Sequence, residues 1–227
     1  MATVPSVPRS ALLVGATGLV GRELLPLLLE NERYVRVQAL VRATSGRIKP
    51  HPKLKLHSVN FAHLVAHLDK VDDAYIALGT TLKLAGSNAA FREVDFDFVL
   101  ASARTARAAG AHRLAVVSAL GADPTSRVFY NRVKGEMQAA VGDLGFDSVV
   151  FAQPSLLLGD RASLGQAPRS GEVWATRLLG PVMGLVPKGV RPIQARAVAQ
   201  AMVEATLSAA RGVRVLGSAD MQGAPPR

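Results

Sequence analysis

The chain has 227 residues, of which 49% are hydrophobic and 19% charged, and this predicts a single domain over residues 1–227 with a substantial core. Because it contains no cysteine, disulfides, thiolate metal sites and thiol catalysis are excluded, and we expect a reducing, cytoplasmic location. We find neither an apolar run of membrane-spanning length nor a signal-peptide pattern, so we expect no membrane span.

Basic residues outnumber acidic ones by 27 to 17, which gives a net charge of +10. An excess of this size can attract nucleic acid, anionic lipid or an anionic cofactor. The lysines and arginines are scattered, without a basic block or interleaved aromatic residues. We therefore interpret them as a solvated basic surface. We expect a small-molecule substrate, no nucleic-acid partner, and a monomer or homodimer.

Strands and helices are predicted to alternate after a loose tail at residues 1–9. Short apolar runs predict strands at 11–14, 35–41, 54–59, 73–78, 113–118 and 148–152, and an edge strand at 213–216. Helical periodicity predicts helices at 19–31, 61–68, 90–109, 130–144 and 195–210, the first kinked at Pro26. This alternation is typical of an α/β fold with a doubly wound parallel sheet of the Rossmann type.

The sequence pattern changes beyond Pro154. Residues 155–189 are rich in glycine, proline and arginine, with one helix candidate at 172–185. In open parallel sheets the ligand binds beyond the carboxyl ends of the strands. We therefore expect residues 155–210 to form a small C-terminal segment that lines a substrate pocket.

A glycine-rich turn joins the first predicted strand to the first predicted helix. Gly15, Gly18 and Gly21 follow the spacing G-x-x-G-x-x-G, a variant of the dinucleotide-binding fingerprint. Glycine permits a tight turn and close approach of the backbone to a pyrophosphate, which free N–H groups at the helix N-terminus would bind. A purely steric need for glycine in this turn is the alternative.

Three residues in the second half of the chain suggest catalysis. Ser118 ends a predicted strand, whereas Tyr130 and Lys134 lie four residues apart on a predicted helix and share one face. An ammonium group beside a phenol stabilises the phenolate, which suits a tyrosine that acts as general acid or base. The Ser118 hydroxyl can hydrogen-bond a substrate oxygen. An ordinary pair of residues on a helix surface is the alternative for Tyr130 and Lys134.

Arg42 follows the second predicted strand, the position that distinguishes NADP from NAD in this fold. An acidic residue there binds the 2′-hydroxyl of NAD, whereas an arginine accommodates the 2′-phosphate of NADP. Residues 35–51 contain no Asp or Glu, and Arg47 and Lys49 add positive charge. The sequence therefore predicts NADP as cofactor, with NADPH preferred over NADH. Exposure of Arg42 to solvent without a ligand is the alternative.

Five segments, VGATGLVG, LGTT, VVSALGA, YNRVK and PSLLLG, together resemble the atypical short-chain dehydrogenases/reductases over residues 10–210. The resemblance implies that Ser118, Tyr130 and Lys134 are the catalytic serine, tyrosine and lysine. It also implies a cofactor site formed by Gly15, Thr17, Gly18, Leu19, Val20, Gly21, Arg42, Asn60, Leu78, Gly79, Thr80, Lys134 and Pro154.

The sequence departs from that family at a few positions. Asn60 stands where relatives often have Asp, and either residue could bond an adenine amine. Gln153 and Ser155 replace an Arg and a Gly, which changes the pocket on the nicotinamide side. Asp95 falls where some extended relatives use Asn in a proton relay, and we assign it no role.

His63 and His67 are four residues apart on a predicted helix and could share a metal ion. No Glu accompanies them in an H-E-x-x-H arrangement, so we interpret them as a solvated pair and expect no metal.

The motifs favour an NADP(H)-dependent oxidoreductase that reduces a carbonyl or oxidises an alcohol. A non-catalytic NADP(H)-binding regulatory or redox-sensing protein is the main alternative, because a fold does not fix an activity. An epimerase acting on nucleotide sugars is a weaker alternative, since the chain is short for the usual substrate domain.

Overall fold

The computed structural model describes residues 7–42, 48–64, 66–159, 187, 189–208 and 210–222. The strands are β1 (Arg9–Val14), β2 (Tyr34–Val41), β3 (Leu54–Ser58), β4 (Asp73–Ile76), β5 (Arg113–Val117), β6 (Ser148–Gln153), β7 (Leu157–Leu158), β8 (Ile193–Gln194) and β9 (Gly212–Gly217). The helices are α1 (Leu19–Glu30), α2 (Leu82–Ala85), α3 (Asn88–Arg92), α4 (Phe98–Ala108), α5 (Phe129–Gly142), α6 (Ala195–Leu207) and α7 (Ser218–Met221). A π-helical turn, Glu93–Asp97, joins α3 to α4.

Seven parallel strands form one sheet in the order β3-β2-β1-β4-β5-β6-β9. From β1 the chain moves outwards to β2 and β3, then returns to place β4 on the other side of β1. The strand order therefore reverses between β1 and β4. The short strands β7 and β8 pair separately. The prediction of a doubly wound parallel sheet is confirmed, and every predicted strand belongs to it.

Helices cover both faces of this sheet, which explains why the inner strands β1, β4, β5 and β6 are buried along nearly their whole length. Alternate residues of one strand enter different layers of the core: Leu13 packs on the side of α1 and α6, whereas Leu12 packs on the side of α4 and α5. Helix α1 continues through Pro26 and packs against α6. None of the described helices is long and apolar enough to cross a membrane.

Several predicted boundaries are wrong. The helix predicted at 61–68 is wrong where the structure describes it: only a 3-10 turn, Phe61–His63, is found among residues 61–64 and 66–68, because the segment is short and Phe61 is the one buried residue of those described. The helix predicted at 90–109 begins earlier, at Asn88, where the Ser87 hydroxyl caps it, and the π-helical turn interrupts it. Strand β1 begins at Arg9, a residue of the predicted tail, because Arg9 forms an ion pair with Asp73.

The C-terminal part of the chain agrees with the predictions where it is described. Helix α6 and strand β9 match the helix and the edge strand predicted there. The helix predicted at 172–185 and most of the predicted pocket segment lie outside the described residues. The short helix α2 was not predicted from the sequence.

Candidate functional site

The predicted site residues lie along one edge of the sheet, because parallel strands all end at the same edge. Five of them lie just beyond the carboxyl ends of five different strands, namely Gly15, Arg42, Leu78, Ser118 and Pro154. The loops after β1 and β4 flank the reversal of strand order, which is where open α/β sheets bind ligands. The Ala77 N–H, in the second loop, donates to the Val14 carbonyl at 2.8 Å.

Close backbone packing accounts for two of the three glycines in the first loop. Gly15 has φ of +88°, and a Cβ atom there would lie 2.6 Å from the Ala77 carbonyl oxygen. A Cβ atom at Gly21 would lie 2.0 Å from the Gly15 carbonyl oxygen. Any side chain at either position would therefore displace the backbone. These two glycines shape the turn and let α1 approach β1.

Gly18 differs from the other two glycines. Its backbone is extended, and a Cβ atom there would come no closer than 3.4 Å to the Gly15 carbonyl oxygen and 3.6 Å to that of Ala77. Internal packing therefore does not require glycine at position 18. Gly18 is also the N-cap of α1, where it offers no side-chain oxygen to the free N–H groups of the first turn, and that turn carries no acidic residue.

The residues next to Gly18 differ in how deeply they are buried. Thr17 and Leu19 are half-buried, whereas the Val20 side chain is buried in the core. Leu19 reaches towards Gly159, since a Cβ atom built there would lie 2.9 Å from Leu19 Cδ2. A ligand at this loop would thus meet the backbone of Val20 rather than its side chain.

The loop after β4 is tied to a buried ion pair. Lys134 Nζ lies 2.7 Å from Asp95 Oδ1, and the two side chains are 4% and 0% exposed. The Thr80 N–H donates to the other oxygen of Asp95, Oδ2, at 2.8 Å. A Cβ atom at Gly79 would lie 3.3 Å from Asp95 Oδ1 and 3.8 Å from Lys134 Nζ. Asp95 therefore connects the loop that carries Gly79 and Thr80 to the predicted catalytic lysine.

The π-helical turn brings Asp95 into this position, and π-bulges are often found at functional sites. Sequence reasoning assigned Asp95 no role. A signal was present, because Asp95 lies four residues after Phe91 and three before Phe98, on the face expected to be buried. A carboxylate on a buried helix face needs a partner, and here the partners are Lys134 and the Thr80 N–H.

Tyr130 lies in the first turn of α5, and its half-buried ring packs on the Phe91 ring with 5.2 Å between centroids. Lys134 follows one turn later, and the backbone of Gly135 allows α5 to pack directly against residues 123–124. Among the described residues, no hydrogen bond joins the Tyr130 hydroxyl to Lys134 Nζ. The ammonium group is paired with Asp95 instead.

Ser118 is buried directly after β5, where its N–H donates to the Ala152 carbonyl at 2.7 Å. Its hydroxyl oxygen accepts a hydrogen bond from Gln138 Nε2 at 2.6 Å. Gln138 Oε1 in turn accepts from Gln153 Nε2 at 3.3 Å. Ser118 is therefore held from α5 and β6 as well as by its own strand.

The remaining predicted contact residues lie further along the same edge. Arg42 is exposed immediately after β2. The Asn60 side chain caps the turn that follows β3, since its Oδ1 accepts the Ala62 N–H at 3.0 Å. Pro154 is buried after β6, and its carbonyl accepts the Leu120 N–H at 3.0 Å, which fixes the loop that follows Ser118.

The two histidines that were weighed as a metal pair are exposed, and only His63 lies in the short 3-10 turn. Within the described ranges, no group of three or more His, Cys, Asp or Glu residues could hold a metal ion.

A parallel sheet with a glycine-rich turn at its reversal point defines an NAD(P)-binding domain of the Rossmann type. Residues 15–144 match the family described as NAD(P)H-binding, which is more than half of the chain. The protein therefore belongs to the NAD(P)H-binding family.

Curated relatives match nearly the whole chain. The "Protein fmp52, mitochondrial" of Emericella nidulans is 32% identical over 216 residues, which cover 91% of each chain. Its counterpart of the same name from Aspergillus fumigatus is 33% identical over 210 residues and 88% of each chain. From its motifs we expected a protein similar to the human Tat-interacting oxidoreductase and its bacterial relatives, whereas the curated relatives that match the chain carry the name Fmp52.

Solved structures share the fold at low sequence identity. An oxidoreductase of the short-chain dehydrogenase/reductase family from Burkholderia thailandensis has a TM-score of 0.66 and 16% identity, over 96% of this chain and 94% of that one. The UDP-N-acetylglucosamine 4-epimerase from Methanobrevibacter ruminantium has a TM-score of 0.67 and 13% identity, over 93% of this chain and 77% of that one. At such identities the likeness shows the fold alone.

The predicted cytoplasmic location is wrong by these comparisons, because the relatives are named as mitochondrial proteins. The prediction relied on the absence of cysteine. A chain without cysteine cannot form disulfides in any compartment, so this feature does not distinguish one location from another.

Proposed function

We propose that this protein is an NADP(H)-dependent oxidoreductase of the short-chain dehydrogenase/reductase type, which reduces a carbonyl compound or oxidises the corresponding alcohol. The observation that carries the proposal is the position of Gly79. Its backbone lies against the buried Asp95–Lys134 pair, so the loop predicted to bind the cofactor adjoins the predicted catalytic lysine. Ser118 directly follows the neighbouring strand β5 at the same edge of the sheet.

The residues at this edge fit a dinucleotide. Gly18 has no packing requirement to be glycine, and the N-terminus of α1 carries neither a side-chain cap nor an acidic residue. Both features suit a pyrophosphate, which needs close backbone approach and free N–H donors. The exposed guanidinium of Arg42 suits a 2′-phosphate, to which it can donate two parallel hydrogen bonds. NADPH is therefore the preferred cofactor.

When bound, the reduced nicotinamide would supply a hydride to the carbonyl carbon. Tyr130 donates its phenolic proton to the carbonyl oxygen, so that an alcohol forms, and it recovers a proton from solvent. Ser118 donates a hydrogen bond to the same oxygen and stabilises the charge that develops there. Lys134 supplies positive charge one helical turn from Tyr130 and so stabilises the phenolate.

A second candidate function is a non-catalytic NADP(H)-binding regulatory or redox-sensing protein. One observation favours it: the Lys134 ammonium pairs with the Asp95 carboxylate rather than with the Tyr130 hydroxyl. An arrangement of this kind holds the loop after β4 without activating a tyrosine. The two candidates differ in whether Tyr130 affects turnover.

Replacement of the Tyr130 hydroxyl tests the proposed chemistry. In a screen of carbonyl compounds for NADPH oxidation, Tyr130→Phe should lower kcat by about 10²-fold with little change in the Kd for NADPH, because the ring packing on Phe91 remains. The control is Tyr34→Phe, which removes a hydroxyl at the opposite end of the sheet and should leave kcat unchanged.

Unchanged turnover in Tyr130→Phe would contradict the catalytic role of the tyrosine. Tight NADPH binding together with no reduction of any carbonyl compound would favour the sensor function instead.

A further inference from the structure

A line of hydrogen-bonding side chains runs along one face of α5. Tyr130, Lys134 and Gln138 are spaced by four residues, so Gln138 lies one turn beyond the predicted catalytic lysine. Gln138 is the hydrogen-bond partner of the Ser118 hydroxyl at 2.6 Å, and Gln153 at the end of β6 is the partner of Gln138 at 3.3 Å. The face of α5 that carries Tyr130 and Lys134 thus also contacts the predicted catalytic serine.

This chain of hydrogen bonds has a direction. In the structure the amide nitrogen of Gln153 faces the carbonyl oxygen of Gln138 and donates to it at 3.3 Å. The amide nitrogen of Gln138 therefore faces Ser118 and donates to its hydroxyl oxygen. In this arrangement Ser118 is an acceptor towards the protein, and its own hydrogen is not used in the bond.

We infer that Gln138, held by Gln153, is a positioning residue that orients Ser118 as a hydrogen-bond donor to the substrate. The inference rests on the proposed function and deepens it, because it states which ligand atom the site requires. Ser118 has one hydrogen to donate, Gln138 does not accept it, and among the described residues no other acceptor receives it. The bound substrate must therefore present an acceptor oxygen to Ser118, as a carbonyl group does.

A single change of chemistry at position 138 reverses this hydrogen bond. Gln138→Glu keeps the shape of the side chain but replaces its donor with a carboxylate, which can only accept. Ser118 then donates to the carboxylate and no longer to the substrate. We expect kcat to fall by about 10²-fold, because the loss of one hydrogen-bond donor to a developing oxyanion has an effect of about this size. The Kd for NADPH should not change. The matched control is Asn88→Asp, which likewise exchanges a side-chain amide for a carboxylate, at an exposed position of α3.

The pH dependence separates orientation from simple structural damage. A free glutamate has a pKa of about 4.3, and burial raises the pKa of a carboxyl group. Below that pKa the introduced carboxyl group is neutral and can again donate a hydrogen bond to Ser118. The kcat of Gln138→Glu relative to the unmodified protein should therefore rise as the pH falls. A ratio that stays constant over this range would contradict the inference.

A second measurement does not depend on activity. In the cofactor-free protein, the side-chain amide signals of Gln138 in a ¹⁵N NMR spectrum should shift in Ser118→Ala, because their acceptor is removed. Unshifted signals would overturn the inference even if no substrate is found. If Gln138→Glu does not fold, Gln153→Leu removes the anchor and should lower kcat several-fold, and an unchanged kcat there would overturn it as well.

The two proposals fail in distinguishable ways. Absence of carbonyl reduction by the unmodified protein would count against the proposed function, and the NMR measurement would then test the contact between Gln138 and Ser118 on its own. Normal turnover in the unmodified protein combined with full activity of Gln138→Glu at every pH would overturn the role of Gln138 alone.

Discussion

Buried polar groups occur at both ends of the parallel sheet, and the two ends use them differently. At the amino end, Arg9 donates two hydrogen bonds to Asp73, each 2.6 Å long, and the Tyr34 hydroxyl donates to the same carboxylate at 2.9 Å. The Tyr75 hydroxyl lies 2.7 Å from that of Tyr34. These groups satisfy one another.

Arg9, Tyr34, Asp73 and Tyr75 form what we call the amino-end cluster, and this cluster is largely buried. Removal from water raises the pKa of the Tyr34 and Tyr75 hydroxyls above the usual value, so both remain neutral. The two rings meet edge to face with centroids 6.4 Å apart. The cluster has the properties of a structural element that fixes β1, β2 and β4 relative to one another.

The carboxyl end retains hydrogen-bonding capacity. Asp95 and Lys134 pair with each other, but they lie beside the exposed Gly79. Ser118 accepts from Gln138 and keeps its own hydrogen, and the first turn of α1 has no side-chain cap. At the amino end, polar residues hydrogen-bond one another and so stabilise the protein. At the carboxyl end, hydrogen-bond donors remain available to a ligand.

The comparison of the two ends can be tested by substitution, and we expect the largest effect on the free energy of unfolding. Asp73→Asn removes the charge that Arg9 and Tyr34 require, and breaking a buried ion pair should lower the free energy of unfolding by about 3 kcal/mol. The affinity for NADPH of the folded protein should not change, because the carboxyl end is untouched. Urea unfolding and calorimetric titration measure the two quantities.

The control for this change is Asp69→Asn, which alters an exposed carboxylate that pairs with Arg36 and Lys55. Exposed pairs contribute little, so the midpoint of unfolding should barely move. Equal effects of the two substitutions would show that the amino-end cluster does not stabilise the sheet as described.

A smaller effect should distinguish the two ends of strand β2. Arg42 follows the strand and Arg33 precedes it, and both are exposed. A charge-assisted hydrogen bond to a phosphate contributes about 1.5–3 kcal/mol, so NADPH should bind tenfold to a hundredfold more tightly than NADH. Arg42→Asp should reverse this preference, whereas Arg33→Asp should preserve it.

Calorimetry at low salt gives the Kd of each cofactor for the three proteins. Equal Kd values for NADPH and NADH in the unmodified protein would contradict the role of Arg42.

The fold was predictable because its determinants are local in sequence. Buried parallel strands require continuous apolar runs, and the turn at Gly15 and Gly21 requires glycine for close backbone contact. The segment 61–68 was harder to predict, since a short helix is marginal without extensive burial. In its described part, residues 61–64 and 66–68, only the turn Phe61–His63 forms. The π-helical turn also left no clear signal in the helical periodicity of residues 90–109.

The candidate site was predictable only in part. Motif spacing identified Ser118, Tyr130 and Lys134, but the partners of these residues depend on how α5 meets other elements. Asp95 pairs with Lys134 across 39 positions, and Gln138 bonds Ser118 across 20. No local pattern specifies such contacts, because they arise when the strands and helices assemble.

The most direct test of the account is to locate the cofactor on the folded protein. NADPH is titrated into the ¹⁵N-labelled protein and the amide chemical shifts are followed by NMR. We predict the largest changes at residues 15–21 and 78–80, at the carboxyl end of the sheet, and little change at Arg9, Tyr34 and Asp73. Saturating NADPH that shifts no amide at residues 15–21 and 78–80, or that shifts the amino-end residues most, would contradict the account.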